Sequence, residues 1–179
     1  MHIFLQGPRD IGKSTVISKT LAILEAGAPF ILGGFFTWNG GSDDPKIYMR
    51  PAQSGRDKER YIVANSTPSG GGFSADERMF DTVGASLIAD SEDAGLIIMD
   101  ELGFLESGAS EFIKAVYEAV CGERPILGVL KQQEISWHES IKRNSTVSLY
   151  EVNEGNRDRL PQELADLLRA GLTNKIPTI

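Results

Sequence analysis

The segment at residues 7–15, which reads GPRDIGKST, contains the residue types of a phosphate-binding loop. It follows the apolar run at residues 3–5 and fits the pattern G-x-x-x-x-G-K-[ST]. Glycines allow a tight turn in which successive backbone N–H groups, together with the positive end of the following helix, point at one anion. The segment is therefore predicted to bind the phosphates of a nucleotide.

Every position of this loop is a candidate ligand contact. The nine candidates are Gly7, Pro8, Arg9, Asp10, Ile11, Gly12, Lys13, Ser14 and Thr15. In loops of this pattern the lysine reaches the β- and γ-phosphates, and the hydroxyl group of the next residue binds Mg²⁺. We therefore expect Lys13 to be catalytic and Ser14 to be a ligand of a magnesium cofactor.

A second candidate element is the run from Leu96 to Glu101, which is apolar until it ends in two acids. A continuous apolar run is typical of a strand buried on both faces of a parallel sheet. Ligands of open α/β sheets bind beyond the carboxyl ends of the strands, so Asp100 is predicted to project toward the phosphates and to hold Mg²⁺. Its neighbour Glu101 points elsewhere, and is predicted to orient and deprotonate an attacking water.

The spacing of apolar residues predicts the elements that hold these two segments. We expect helices at residues 14–25, at 74–89 with a Ser74-x-x-Glu77 capping box, around 112–120 and from 160, and core strands at 30–32, 125–130 and 146–152. Short β segments separated by turns predict an antiparallel insertion at about residues 35–64. The predicted fold is α/β, a single domain over residues 1–179 with a mostly parallel sheet of about five strands covered by helices. The glycine-rich segment at 65–72 is either a lid or a linker.

Composition narrows the classes of partner. The 179 residues carry a formal net charge of −7, so a broad attraction to nucleic acid or to anionic lipid is not expected. The apolar stretches are too short to span a bilayer, and the N-terminus enters a strand without a signal-type segment, so we expect a cytoplasmic protein. Cys121 is the single cysteine and cannot form an internal disulfide. The oligomeric state stays open.

Three further segments carry a resemblance to a known family. They read GFFT at residues 34–37, DELGFLE at 100–106 and NRD at 156–158. Together with the phosphate loop, they resemble elements of the nucleoside-triphosphatase family of the thermophile type, also called the cancer-related nucleoside-triphosphatase family. The resemblance spans nearly the whole chain and implies the three-layer sandwich of a P-loop NTPase.

The resemblance also implies an activity. Proteins of this kind are Mg²⁺-dependent hydrolases that cleave the γ-phosphate from ATP, GTP and other nucleoside triphosphates with limited base selectivity. Carried over by position, Lys13 would stabilise the transferring charge, Ser14 and Asp100 would hold the metal, and Glu101 would activate water. Asp10 stands where the family usually has glycine, and Phe104 where lysine or proline is common.

Two other classes of function fit the same residues. A nucleoside or small-metabolite kinase could build its acceptor pocket from Phe35, Phe36, Trp38 and the glycine-rich segment, although these aromatics are more simply explained as the core of the insertion. A nucleotide-dependent switch or adaptor would use the D-x-x-G at residues 100–103, but no [NT]-K-x-D element to read guanine is present. In each case the candidate cations for the transition state are Lys131, Arg124, Arg143 and Arg157.

Overall fold

The computed structural model describes residues 1–67 and 71–172, in which eight strands form one sheet. The strands are β1 His2–Gln6, β2 Leu32–Asn39, β3 Lys46–Pro51, β4 Tyr61–Ser66, β5 Phe73–Ala75, β6 Leu96–Leu102, β7 Ile126–Leu130 and β8 Val147–Glu151. The helices are α1 Lys13–Glu25, α2 Glu77–Met79, α3 Ala85–Ala89, α4 Ser110–Cys121, α5 His138–Lys142 and α6 Leu160–Gly171, with a π-helical turn at Phe80–Gly84. Residues 68–70 of the predicted lid or linker lie outside the described residues.

The sheet order is β5-β4-β3-β2-β6-β7-β1-β8. The five strands from β2 to β8 in this order are parallel, while β3, β4 and β5 extend the sheet antiparallel beyond β2. The predicted five-stranded parallel core with an antiparallel insertion is therefore confirmed. The insertion is longer than expected, because β5 adds a third antiparallel strand at Phe73–Ala75.

Strand β2 belongs to both parts of the sheet. Its first half, Leu32–Phe35, pairs parallel with β6, and its second half, Phe35–Asn39, pairs antiparallel with β3. The short strand predicted at residues 30–32 and the first β segment of the insertion are thus one continuous strand. The insertion is held by a core strand, so its side chains lie at a defined distance from the end of β6.

Helices cover both faces of the sheet, as predicted. On one face α1 and α6 bury leucine and valine side chains against Ile3, Leu5 and Ile98, and on the other face α3 and α4 pack around Phe35 and Phe112. No helix within the described ranges combines the length and apolar character needed to cross a bilayer.

The predicted start of the second helix is wrong. Ser74 lies in β5 and pairs with Asn65 of β4, so its backbone is already engaged in the sheet. The helical run begins instead at Glu77, and the carboxylate of Asp76 accepts a hydrogen bond from the backbone N–H of Met79 at 3.1 Å. Pairing with the preceding strand β4 thus overrode the local capping pattern.

Two buried histidines make stability depend on pH. His2 and His138 are both fully buried, and burial lowers the pKa of each to about 4 from the model-peptide value of 6.5. Because the folded-state pKa lies below the unfolded one, their contribution is complete above pH 6.5 and is lost as the pH falls toward 4. Glu106 acts in the opposite direction, since burial raises its pKa to about 7. The histidine contribution is therefore measured best by comparing variants.

We predict that His138→Leu keeps wild-type stability at pH 7, since neither ring nitrogen has a hydrogen-bond partner among the described residues. Between pH 7 and pH 5 the variant should lose about 2 kcal/mol less unfolding free energy than the wild type. Urea unfolding at both pH values measures this difference. His2→Leu should show the same sign, and an unchanged pH dependence in both variants would contradict the prediction.

Candidate active site

The loop between β1 and α1 has the backbone shape that phosphate binding requires. Gly7 and Gly12 have φ values of 145° and 107°, in the region that favours glycine. A Cβ atom on Gly7 would lie 2.6 Å from the carbonyl oxygen of Val152 at the end of β8. The first turn of α1 contains no acidic residue, so its free N–H groups keep their attraction for an anion.

Asp10 occupies its position without steric conflict. Its φ of 61° is left-handed, which explains why glycine is common there, and aspartate is among the few other residues that tolerate this conformation. Its carboxylate is 3.6 Å from the Arg9 guanidinium, and the two side chains are 89% and 88% exposed. The extra negative charge therefore sits in solvent beside a cation.

Lys13 is where the two predicted segments meet. Its ammonium donates hydrogen bonds to the loop's own carbonyls, at 2.9 Å to Gly7 and 2.7 Å to Pro8. Burial lowers its pKa, while the charges of Glu101, Asp10 and Asp100 raise it. The phosphate loop and the acidic end of β6 therefore both act on one ammonium group.

The side chain of Asp100 is buried near this lysine with little hydrogen bonding to protein. It is 6% exposed, and burial raises its pKa to about 6. The backbone N–H of Thr37 donates to its Oδ2 at a long 3.5 Å, and the Thr37 hydroxyl donates to its backbone carbonyl at 2.7 Å. A desolvated carboxylate with so few donors is the chemistry that a cation satisfies.

The GFFT segment brings Thr37 to this position. Gly34 has a φ of 81°, and a Cβ there would collide with the carbonyl oxygen of Ile98 in β6. Only glycine lets β2 approach β6 so closely. The resemblance identified the segment, but the role of Thr37 becomes visible only from the sheet.

A β-bulge separates the two acids at the end of β6. Met99 pairs with Gly128 and Leu102 with Leu130, so β6 contains one residue more than β7 over this step. Glu101, with a φ of 66°, is the extra left-handed residue. As a result Leu102 takes the core face that Glu101 would occupy in a regular strand, and Leu102 is fully buried.

The bulge turns the Glu101 carboxylate toward Lys131, at 2.6 Å from its ammonium. Lys131 follows β7, and its ammonium also lies 5.1 Å from the centroid of the Phe104 ring. The residue that departs from the family pattern therefore contacts a candidate cation. Lys131 is the cation from the sequence analysis that lies directly at the acidic segment.

The other three predicted cations lie at opposite ends of the parallel strands. Arg157 lies over the phosphate loop, with Nη1 3.5 Å from the carbonyl oxygen of Ile11. Arg124 and Arg143 precede the amino ends of β7 and β8, so they lie at the opposite edge of the parallel sheet from Asp100. These two do not join the site within this chain.

Besides Thr37, two further site residues were not assigned roles from the sequence. Arg50 of β3 pairs opposite Phe36, its guanidinium lies 4.6 Å from the Phe36 ring centroid, and its charge lowers the pKa of Asp100. Only the register of the insertion brings it there. Glu106 is 5% exposed and accepts a hydrogen bond from the Gly103 N–H at 2.8 Å, which fixes the loop after β6. The only sequence feature that pointed to Glu106 was its place in the DELGFLE segment.

Within the described part of the chain, no group of three or more His, Cys, Asp or Glu side chains is arranged to hold a metal. Mg²⁺ at a phosphate site typically uses one or two protein ligands together with substrate oxygens and water. The hydroxyl group of Ser14, in the exposed first turn of α1, and the carboxylate of Asp100 are donors of that type. The residues present therefore fit this ion.

A family model described as NTPase matches residues 2–165. The chain belongs to the NTPase family. It is similar to nucleoside-triphosphatase THEP1 from Methanosarcina barkeri, with 27% identity over 172 residues that cover 94% of this chain and 98% of that protein.

Two solved structures share the fold of this NTPase. The crystal structure of THEP1 from Aquifex aeolicus has a TM-score of 0.76 at 18% identity, covering 94% of this chain and 99% of the other. The solution structure of a human cancer-related nucleoside triphosphatase has a TM-score of 0.74 at 22% identity, covering 94% and 97%. The predicted P-loop NTPase fold and the family resemblance are thus confirmed.

The left-handed backbone at Asp10 leads to a test of the loop. Asp10→Gly should leave unfolding free energy within about 1 kcal/mol of wild type, because glycine accepts this φ but gains entropy in the unfolded chain. Asp10→Val should cost about 1–2 kcal/mol, since a β-branched residue is strained there. Urea unfolding measures both. The neighbouring Arg9→Val, at an equally exposed side chain without positive φ, is the matched control, and equal losses at both positions would contradict the explanation.

Proposed function

We propose that this NTPase hydrolyses nucleoside 5′-triphosphates to diphosphate and phosphate with Mg²⁺ and with low base selectivity. Family membership supports the hydrolase class. The observation that carries the proposal is that Asp100 and Glu101, about ninety residues from the phosphate loop, both act electrostatically on the Lys13 ammonium. The loop, the acid for the metal and the acid for water thus share one small region.

The phosphate loop binds the triphosphate through its backbone. The N–H groups of residues 7–15 and the positive end of α1 surround the phosphates, and Lys13 exchanges its bonds to the Gly7 and Pro8 carbonyls for phosphate oxygens. Its present bonds keep the ammonium beside the loop, where it is partly desolvated. Little reorganisation is then needed when a phosphate replaces the two carbonyls.

Ser14 and Asp100 are the residues that would hold Mg²⁺. When bound, the ion would neutralise negative charge on the phosphate oxygens and so favour attack of water at the γ-phosphorus with diphosphate as the leaving group. Thr37 keeps Asp100 in place from the neighbouring strand by its two hydrogen bonds. Arg50, on strand β3 of the insertion, adds a positive charge that acts on the Asp100 carboxylate.

Glu101 is the proposed general base. The bulge directs it away from Asp100, so one carboxylate can hold the metal while the other accepts a proton from the attacking water. Lys131, 2.6 Å away, fixes the orientation of the Glu101 carboxylate. Because Glu101 can take a proton from water while Asp100 holds the metal, the site favours water as the acceptor of the phosphoryl group. The kinase and switch alternatives are not favoured by the relatives.

We further propose that the partners are nucleoside triphosphates such as ATP and GTP, that nucleic acid and membranes are not partners, and that the location is cytoplasmic. The net charge of −7 disfavours attraction to polyanions such as nucleic acid and anionic lipid. A small phosphate chain is different, because a helix terminus and a lysine can bind it locally despite an acidic surface.

Glu101→Gln should retain Mg²⁺-nucleotide affinity and lose roughly 10²–10⁴-fold in turnover, because the amide preserves shape but accepts no proton. Nucleotide affinity from calorimetry and phosphate release measure the two effects separately. Glu111→Gln on α4, an exposed acid in a similar lysine pair, is the matched control and should turn over normally. Equal loss of affinity and turnover in Glu101→Gln would show that Glu101 is structural.

Phosphate release from ATP, GTP, CTP and UTP, with Mg²⁺ and after its removal by EDTA, tests the overall proposal. We expect rates within about a hundredfold of one another, which corresponds to about 2.7 kcal/mol, and loss of release without the metal. Lys13→Ala should be inactive, and any slight phosphate release that remains in this variant measures contaminating phosphatase. Undiminished release by Lys13→Ala, or without Mg²⁺, would remove the proposed mechanism.

A further inference from the structure

A cavity of about 440 Å³ opens on the antiparallel part of the sheet. It is lined by Trp38, Arg50, Asp57, Lys58 and Arg60. It is an open depression in the surface, with a volume in the range of small-molecule sites. None of these residues belongs to the phosphate loop or to the acidic end of β6.

The cavity lies on the face of the sheet that α1 covers, and one of its lining residues, Arg50, also acts on Asp100. Phe36, opposite Arg50 in the β2–β3 register, packs with Ile98 and with α1 on that face. The order β3-β2-β6-β7-β1 places four strand spacings between β3 and the strand that leads into the loop. At about 4.8 Å for each spacing the separation is about 19 Å. Arg50 lies at the border between the cavity and Asp100, whereas Trp38, Lys58 and Arg60 lie beyond it, away from the phosphate loop.

One wall of the cavity is an aromatic plane. The Trp38 indole is 37% exposed and stacks on the cross-strand Tyr48 ring, with centroids 5.3 Å apart and an interplanar angle of 16°. Tyr48 is only 9% exposed, and its hydroxyl donates to the Asp44 carboxylate. The indole is thus held in a fixed plane from behind, as a stacking surface for a flat ring requires.

The other wall is cationic. The Arg60 guanidinium lies 5.8 Å from the Tyr48 ring centroid, which places it beside the stacked pair. Asp57, the acid among the lining residues, is paired with Arg50 at 3.4 Å. Within the described residues neither Lys58 nor Arg60 forms an ion pair, and Asp44, whose pKa Arg60 lowers, is bound by Lys46 at 2.8 Å. Two cations next to an exposed indole are thus available on a chain of net charge −7.

We propose that this cavity binds a nucleoside monophosphate, with the base stacked on Trp38 and the phosphate at Lys58 and Arg60. A flat ring alone would leave the cations unused, and an inorganic anion alone would leave the indole unused. A phosphate joined to an aromatic base by a ribose satisfies both walls. The inference does not depend on the proposed hydrolysis, since Trp38, Lys58 and Arg60, which would hold the ligand, have no role in that reaction.

Tryptophan fluorescence gives a direct measurement. Of the two tryptophans, Trp137 is 8% exposed and packs against Tyr117 and His138, so quenching by a ligand reports mainly Trp38. AMP is titrated into the wild type without Mg²⁺, with adenosine and inorganic phosphate as the ring-only and anion-only probes. We expect AMP to quench the fluorescence saturably, with an affinity at least about tenfold higher than that of adenosine or of inorganic phosphate. The same titration in Lys13→Ala should give the same affinity.

Variants assign the signal to the cavity. Arg60→Gln and Lys58→Gln should each lower the affinity for AMP about tenfold. Trp38→Leu should abolish the quenching, and calorimetry should show that most of the AMP binding is lost as well. Lys114→Gln on α4, whose side chain is 65% exposed, is the matched control and should bind AMP normally. Circular dichroism checks that each variant is folded.

Three results would overturn the proposal. They are no saturable quenching at millimolar AMP, equal affinity for phosphate or adenosine alone, and binding that is lost in Lys13→Ala but kept in Arg60→Gln. The last result would assign AMP to the phosphate loop. Failure of hydrolysis in the nucleotide panel would leave the AMP measurement unaffected, so the two proposals fail separately.

Discussion

The candidate site depends on one irregularity, the extra residue that β6 contains where it pairs with β7. In a regular strand Glu101 would point into the core between α3, α4 and the sheet, and Leu102 would face the other way. The bulge exchanges these two faces. Leu102 completes the core, Asp100 stays buried beside the phosphate loop, and Glu101 reaches Lys131. Two adjacent carboxylates thereby acquire different surroundings and can perform different tasks.

This arrangement stores unfavourable local energy at the site. Asp10 and Glu101 are the non-glycine residues with positive φ in the described part of the chain, and each lies in one of the two segments that meet at Lys13. Asp100 is a buried carboxylate whose pKa is raised by that burial. Strain and desolvation persist only where the surrounding structure holds them, and the five-stranded parallel core supplies that support. A phosphate chain and a divalent cation would relieve the charge imbalance.

The insertion is part of the site rather than an appendage. Because β2 runs continuously from the parallel core into the antiparallel part, Thr37 can bind Asp100 while Arg50, on the adjoining strand, contributes charge to the same carboxylate. Phe35 packs into the main core against Phe112, at 5.7 Å between ring centroids, whereas Trp38 is exposed and stacks on Tyr48. The three aromatics that the sequence groups together therefore have different roles.

Local signals in the sequence determined the phosphate loop, the acidic end of β6, the parallel core and the approximate extent of the insertion, because loop glycines, continuous apolar runs and turn residues act over a few neighbours. The capping pattern at Ser74 failed because strand pairing with β4 outweighed it. The positions of Thr37, Arg50 and Glu106, and the turn of Glu101 toward Lys131, required the tertiary structure. Strand register and the bulge decide them, and both depend on contacts between residues far apart in the chain.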